Sequence, residues 1–180
     1  MPTYACLLRG INMGGHKKVA MSDLAALAAD LGFENPRTLL QSGNLVFSAA
    51  GRSSDVLEAL VEKELAKKLD LVTRVFVRAA AEWTKIVAAN PFLDEAGRDP
   101  AHLALMLLKD KPSPKAAASL KGSIVGREYF EVRGRELYAF YPDGFADSKF
   151  TTALIDRKLE TTATARNWNT VLKIAKAMEA

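Results

Sequence analysis

Apolar positions along the first half of the chain recur at strand and helix spacing in turn. A short apolar run over residues 3–9 predicts a strand, and helical spacing after it predicts a helix that Ser22 caps and Gly32 ends. The segments RTLLQ and LVFSA flank SGN, a pattern that predicts a hairpin. A second helix from about Ser54 and the strand LVTRVFVR follow. The resulting order, β-α-β-β-α-β, is the split β-α-β arrangement of ferredoxin-like domains.

The same order of elements recurs in the second half. HLALMLLK predicts a strand, SPKAAASLKG a short helix, YFEV and ELYAFY a hairpin around Gly134, DSKFTTALIDRKL a helix, ETTATA a short edge strand and RNWNTVLKIAKAM a final helix. Each half ends in a helix with a tryptophan near its start, Trp83 and Trp168. We therefore predict an α+β fold of two ferredoxin-like (α/β plait) units that arose by tandem duplication. The predicted boundaries are 1–90 for the first unit, 91–100 for a linker and 101–180 for the second unit.

Composition bounds the class of protein. A chain of 180 residues with 49% hydrophobic content can bury a substantial core. The single cysteine, Cys6, excludes an intramolecular disulfide, and the N-terminal segment lacks the pattern of a signal peptide, so we expect a cytoplasmic protein. No segment approaches the ~20 apolar residues that a membrane span needs. Neither His16 nor His102 has a cysteine or carboxylate at metal-ligand spacing, so we predict no metal and no cofactor.

The net charge of +4 is unevenly distributed. Residues 1–22 and residues 161–178 each hold three basic side chains and no acidic one. Local basicity of this kind favours a defined anion site over a broad basic surface for nonspecific nucleic-acid binding, although it does not exclude nucleic acid as a partner.

The segment LLRGINMGGHKKVAMSDL runs from the first strand through a glycine turn into a helix. Gly10 and Gly15 have the separation of a G-x-x-x-x-G-K-[ST] phosphate loop, but His16 and Lys17 stand where the lysine and the magnesium-binding hydroxyl belong. We therefore expect no magnesium-dependent nucleotide hydrolysis here. Glycines that let backbone N–H groups approach an anion, flanked by positive charge, remain as one interpretation. A tight strand-to-helix turn with solvated lysines is the other.

Three ordered segments, LLRGINMGGHKKVAMSDL, LGFENPRTLLQSGNLVF and TARNWNTVLKIA, resemble the bacterial domain-of-unknown-function family numbered sixteen ninety-seven. The resemblance covers essentially the whole chain and implies a two-part α/β plait with no established activity. The matching motif positions are Arg9, Gly10, Asn12, Gly14, Gly15, Gln41, Ser42, Gly43, Asn44, Arg166, Asn167 and Trp168. Met13 departs from the smaller branched residue that we expect there, which should alter packing rather than chemistry.

Candidate ligand-binding residues come from the glycine loop, the hairpin turn and the segment before the last helix. They are Arg9, Asn12, Gly14, Gly15, His16, Lys17, Ser42, Asn44, Thr164, Arg166 and Asn167. We expect Thr164 to cap the last helix, so that Arg166 and free N–H groups lie beside the glycine loop and share one anion with it. Ordinary turn and cap chemistry would explain the same residues without a ligand.

Three functions are compatible with these features. The first is a module that binds a small phosphate- or carboxylate-bearing ligand. The second is an enzyme acting on a phosphorylated or nucleotide substrate, with His16 as acid or base. The third is a protein or RNA interaction module that uses a sheet face, for which YFEV and LYAFY are the aromatic-rich strands. The sequence identifies no catalytic residue and no oligomeric state.

Overall fold

The computed structural model describes residues 1–180. It contains two four-stranded antiparallel sheets and seven α-helices, an α+β architecture. The chain divides into two compact units, one made of Met1–Lys85 with Lys173–Ala180 and the other of Ile86–Leu172. The boundaries predicted from the sequence stay a prediction.

The first sheet belongs to the first unit. Its elements and the helix that follows them are β1 (Thr3–Leu8), α1 (Met21–Asp30), β2 (Glu34–Leu39), β3 (Asn44–Ser48), α2 (Ser54–Leu69), β4 (Val75–Ala79) and α3 (Ala80–Ala88). The strand order across the sheet is β2-β3-β1-β4, and every neighbouring pair is antiparallel. The hairpin predicted around SGN joins β2 to β3 and is confirmed.

The second sheet repeats that order. The elements are α4 (Leu93–Arg98), a 3-10 turn (Pro100–His102), β5 (Leu103–Leu108), α5 (Pro114–Lys121), β6 (Tyr129–Arg133), β7 (Glu136–Phe140), α6 (Thr152–Leu159), β8 (Ala163–Asn167) and α7 (Trp168–Glu179). The strands lie in the order β6-β7-β5-β8, again antiparallel throughout. Numbered from the start of each unit, both sheets therefore read 2-3-1-4. Helix α4 lies in the segment that the sequence predicted as an irregular linker.

In each unit, the helices pack against one face of the sheet. In the first unit, Cys6 and Leu8 of β1 pack with Leu57 and Leu65 of α2, and the rings of Phe33 and Phe47 stack at 4.1 Å. The matching core of the second unit gathers Met106, Leu108, Leu137, Ile155 and Leu159. Alternate residues of β1 and β5 face these cores, as the period of two in a strand requires.

Two helix N-caps predicted from the sequence, Ser22 for α1 and Thr164 for α7, are wrong. Helix α1 begins at Met21 with Ala20 as its N-cap and no side-chain cap, because Asn12 already binds both backbone groups of Val19 and fixes the entry to the helix. Thr164 lies buried inside β8, since the pairing of β8 with β5 continues to Asn167. Asn167 takes the capping role instead, and its side-chain oxygen accepts from the N–H of Thr170 at 3.0 Å.

Candidate functional site

The loop between β1 and α1 has an unusual backbone. The φ angles of Gly10, Asn12, Gly14 and Gly15 are +61°, +54°, +72° and +137°. Open space surrounds the position of a Cβ atom at Gly14 and Gly15, so backbone conformation rather than crowding favours glycine there. Residues 13–18 are exposed.

Asn12 fixes the base of this loop. Its Nδ2 donates to the carbonyl oxygens of Val19 (3.0 Å) and Gln41 (2.7 Å), and its Oδ1 accepts from the N–H of Val19 (3.0 Å). Its own N–H donates to the carbonyl of Lys17 at 2.7 Å. The predicted ligand-binding side chain is therefore engaged within the protein, and it joins the glycine loop to the hairpin turn.

The hairpin turn is also tied internally. Asn44 is fully buried, and its Nδ2 donates to the carbonyl of Leu39 (2.8 Å) and to Oγ of Ser42 (2.9 Å). A Cβ atom at Gly43 would lie 2.5 Å from Cδ1 of Ile11, so only glycine lets the turn meet the loop this closely. These contacts match the turn interpretation of Ser42 and Asn44.

The tip of the loop keeps its donors available. The N–H groups of Gly14, Gly15 and His16 have no acceptor in the protein, and the side chains of His16, Lys17 and Lys18 form no hydrogen bond or salt bridge. These are the donors and charges that a bound anion would need.

Two further loop residues differ in role. The backbone of Arg9 continues the pairing of β1, with its N–H donating to the carbonyl of Arg74 at 3.0 Å. Met13 is 82% exposed, so the expectation that it alters packing is wrong. It stands at a loop tip where no core is within reach.

Arg166 lies on β8, opposite Leu105, and is only 9% exposed. Its Nη1 donates to Oγ1 of Thr164 (3.0 Å) and to the carbonyl of Ala165 (2.8 Å). Arg166, Thr164 and Asn167 belong to the second unit and the glycine loop to the first. That the two basic segments meet stays a prediction.

The sequence analysis missed a second buried arginine. Arg78 of β4 is 1% exposed, its Nη1 donates to the carbonyl of Val77 at 2.9 Å, and the same nitrogen lies 3.6 Å from Oε1 of Glu58. Arg78 and Arg166 are each the fourth residue of the last strand in their sheet. Aligning the halves on VFVR and ATAR would have revealed the pair.

The tryptophans do not provide that alignment. Trp83 is the fourth residue of α3, whereas Trp168 is the first residue of α7. They therefore occupy different positions in the repeat, and the spacing between them is not a sign of equivalence.

Other chemistry-bearing side chains are dispersed. No group of three or more histidine, cysteine, aspartate or glutamate side chains lies where it could hold a metal ion. Cys6 is a buried free thiol. Nδ1 of His102 lies 2.8 Å from Oδ2 of Asp99, a pairing that the sequence analysis did not identify, whereas His16 has no such partner. None of the helices has the length and apolar character that crossing a membrane would require.

Comparison with known proteins identifies the family. A family model described as "Protein of unknown function (DUF1697)" matches residues 1–138. The chain belongs to this family. The family inferred from the sequence is thereby confirmed, although the third motif lies beyond the matched residues. No curated protein sequence matches the chain.

A solved structure has a similar fold. It is described as "The structure of conserved bacterial protein SP0830 from Streptococcus pneumoniae", and it matches with a TM-score of 0.75 and 21% sequence identity over 98% of each chain. At this level of identity the likeness concerns the fold alone.

Proposed function

We propose that this protein binds a small anionic ligand, bearing phosphate or carboxylate, at the exposed tip of the loop between β1 and α1. The observation that carries the proposal is the set of unpaired N–H groups at Gly14, Gly15 and His16 beside two lysines without counter-charges. Backbone N–H groups combined with positive charge are the usual means of binding an anion. Because Asn12 holds the base of the loop, less ordering is required when a ligand arrives.

The alternative of an enzyme has less support. General acid–base catalysis by His16 would need a group that orients the imidazole, and His16 has no hydrogen-bonded partner. His102 has such a partner in Asp99, but the single cysteine, Cys6, is buried in the core of the first unit and offers no accessible thiol.

RNA binding on the aromatic-rich strands also has less support. Stacking on bases requires exposed rings. Tyr138, Phe140 and Tyr141 are 1%, 3% and 3% exposed, so these rings are not available to a base. Tyr129 and Phe130 of the other strand are half-buried, and their rings pack on Phe140 and Phe150.

The proposal is tested by titrating ¹⁵N-labelled protein with inorganic phosphate. We expect saturable shifts of the Gly14, Gly15 and His16 amide resonances, reduced by added salt because exposed charges are screened. Each exposed charge is worth about 0.5 kcal/mol. The double variant Lys17→Ala/Lys18→Ala should therefore bind phosphate about five-fold more weakly.

The matched control is Lys63→Ala/Lys67→Ala, which removes the same charge from exposed positions of α2 in the same unit. It should leave the phosphate affinity unchanged. An equal loss in both double variants, or phosphate shifts that leave residues 13–18 unmoved, would show that the loop is not the site.

The finer description of the fold is also a proposal. We propose that both units are ferredoxin-like plaits derived by tandem duplication. The common 2-3-1-4 strand order and the equivalent buried arginines support this. A cytoplasmic location is proposed on the single unpaired cysteine, which suits a reducing compartment.

A further inference from the structure

Three connections of the first unit meet at one end of its sheet. They are the glycine loop (residues 9–20), the turn between β2 and β3 (residues 40–43) and the connection from α2 to β4 (residues 70–74). Strand pairing places the ends of the strands side by side, since Leu8 lies opposite Val75 and Leu39 lies opposite Asn44. We call these three connections the loop end of the first unit.

Hydrogen bonds join the three connections to each other. Nδ2 of Asn12 donates to the carbonyl of Gln41 at 2.7 Å, which links the glycine loop to the hairpin turn. The N–H of Arg9 donates to the carbonyl of Arg74 at 3.0 Å, and Oγ1 of Thr73 donates to the carbonyl of Arg9 at 2.5 Å. The loop end is therefore one continuous surface.

Each connection of the loop end exposes one large apolar side chain. Met13 is 82% exposed, Leu40 is 48% exposed and Val72 is 74% exposed. A single exposed apolar residue is ordinary, but one on every connection at a shared end makes an apolar surface. Leu40 also has a φ of +60°, a conformation that glycine or asparagine adopts at lower cost than leucine. Turn chemistry therefore does not explain the leucine.

The second unit has the same three connections without the apolar side chains. They are residues 109–113 (KDKPS), 134–135 (GR) and 160–162 (ETT), none of which includes a large aliphatic or aromatic residue. The backbone bonds match those of the first unit, since Lys109 donates to Thr162 as Arg9 donates to Arg74. The fold can therefore form these connections without exposed apolar tips.

The loop end is also positively charged. Its connections contain four lysine or arginine side chains and one acidic side chain, and the first turn of α1 adds Asp23. Lys17 and Lys18 are exposed and form no salt bridge, whereas Arg74 lies 3.7 Å from Glu62. Apolar side chains beside unpaired lysines are the combination that binds the interface of an anionic bilayer.

We propose that the loop end of the first unit docks on an anionic lipid surface. Met13, Leu40 and Val72 enter the headgroup region, and a lipid phosphate is bound by the glycine loop. This inference rests on the proposed function, because the lipid phosphate takes the place of the small anion at the free N–H groups of Gly14 and Gly15. The contact is peripheral and requires no membrane-spanning segment. It agrees with the proposed cytoplasmic location, since the anionic leaflet faces the cytoplasm.

A lipid surface accounts for features that other anions leave unexplained. A free phosphate would use the N–H groups and the lysines, but it has no apolar part to cover the three exposed side chains. A nucleic acid would need Phe, Tyr or Trp for stacking, and the loop end contains none. An anionic bilayer presents phosphates directly above hydrocarbon, so it can contact both kinds of side chain.

The first test is cosedimentation of the full-length protein with lipid vesicles. We expect binding to vesicles of equal parts phosphatidylcholine and phosphatidylglycerol, and binding at least about ten-fold weaker to phosphatidylcholine alone, since each lysine at an anionic surface contributes about five-fold. For the same reason, Lys17→Ala/Lys18→Ala should weaken binding to the anionic vesicles at least about ten-fold. Equal binding to both vesicles, or binding to neither, would overturn the proposal.

The second test removes apolar side chains and leaves the charge. Met13→Ser/Val72→Ser should weaken binding to the anionic vesicles at least about ten-fold, because the apolar area that enters the headgroup region is lost. The matched control, Leu93→Ser/Val125→Ser, removes two similarly exposed apolar side chains from the second unit and should leave vesicle binding within about two-fold. Equal losses in the two variants, or no loss in the first, would overturn the proposal.

Leu40 separates the lipid contact from folding. Leu40→Asn places a residue that tolerates the left-handed conformation, so the melting temperature should stay the same or rise. Vesicle binding should nevertheless weaken about three-fold, since one of the three apolar side chains is lost. Vesicle binding unchanged by Leu40→Asn would contradict the three-point contact proposed here.

A phosphate titration distinguishes this inference from the proposed function. Met13→Ser/Val72→Ser should keep its affinity for inorganic phosphate within about two-fold, because neither side chain carries charge. Phosphate binding at the glycine loop without any vesicle binding would overturn the lipid contact and leave the proposed function standing. Self-association of the protein that Met13→Ser/Val72→Ser abolishes, without vesicle binding, would assign the apolar side chains to a second copy and overturn it as well.

Discussion

The outer edges of β4 and β8 occupy the same place in their sheets, but their outward N–H groups differ in how many have an acceptor. The outward groups are those of Val75, Val77 and Ala79 on β4 and those of Ala163, Ala165 and Asn167 on β8. Three carboxylates accept all the outward N–H groups of β4, whereas one carboxylate accepts one such group on β8. An open strand edge invites pairing with another strand, and blocking it is a common protection. The first unit therefore uses this edge for its own integrity, and the second keeps donors and space there.

The helices beside the two edges correspond. Asp156 of α6 matches Glu62 of α2, since each binds the first outward N–H of its strand. One helical turn earlier, α2 carries Glu58, whereas α6 carries Thr152. A cavity of about 220 Å³ has Thr152 and Ala165 in its wall.

The closed edge depends on a buried charge. Glu58 accepts from the N–H of Val77 and lies beside Arg78, and both side chains are almost fully buried. Burial of such a pair costs desolvation free energy, so its net contribution to stability is modest, but removal of one partner is costly. On the open edge, Arg166 is buried on the strand without a glutamate on the matching turn of α6. The guanidinium of Arg166 donates instead to Oγ1 of Thr164 and to the carbonyl of Ala165, so the two edges satisfy their buried arginines in different ways.

The largest expected effect breaks the closed edge. Glu58→Ala leaves the buried guanidinium of Arg78 without this carboxylate and the N–H of Val77 without its acceptor, and we expect the free energy of unfolding to fall by about 3 kcal/mol. Thr152→Ala, at the matching place in α6, should cost less than about 1 kcal/mol because Thr152 bonds nothing on the strand. Urea denaturation followed by circular dichroism measures both. Similar losses in the two variants would mean that the edges are not different in kind.

We expect a smaller effect when the side chains at the equivalent strand positions, Val77 and Ala165, are exchanged. Val77→Ala removes two methyl groups from a fully buried site and should lower the free energy of unfolding by about 2 kcal/mol. The reverse change, Ala165→Val, adds them where space is available and should change stability by less than about 1 kcal/mol in either direction. Thermal unfolding of both variants provides the measurement. A loss for Ala165→Val as large as for Val77→Ala would show that no usable space exists beside Ala165.

Sequence periodicity predicted the strands, the helices other than α4 and the repeated order, because each depends on neighbours within a few positions. It could not predict the closed edge. Glu58 looks like any charged residue on a helix, and its acceptor role depends on Val77, a strand away in the chain. Arg78 interrupts an apolar strand, and nothing in the neighbouring sequence indicates that Glu58 lies beside it in the fold.

In the candidate site, too, the sequence predicted local features but not contacts between distant segments. Local sequence identified the glycines of the loop, whose positive φ angles are a property of the loop itself. It did not reveal that Asn12 is bound to Gln41, because that contact joins segments 29 residues apart. Thr164 was assigned to a helix cap because threonine suits both caps and strands, and pairing with β5 decided the matter.

The smallest expected effect concerns the one carboxylate on the open edge. Asp156→Ala removes the acceptor of the Ala163 N–H, and because this side chain is half-buried, water can partly replace it. We expect a loss of about 1 kcal/mol in the free energy of unfolding, and less than half of that for Asp156→Asn, which keeps an oxygen at the same place. Native-state hydrogen exchange provides the sharper readout, since the Ala163 amide should exchange faster in Asp156→Ala.

In the unaltered protein the Val77 amide should already exchange more slowly than that of Ala165, because only the former has an acceptor. Equal protection of Val77 and Ala165 would mean that β8 has no open donor, and the contrast between the two edges would then reduce to side-chain size.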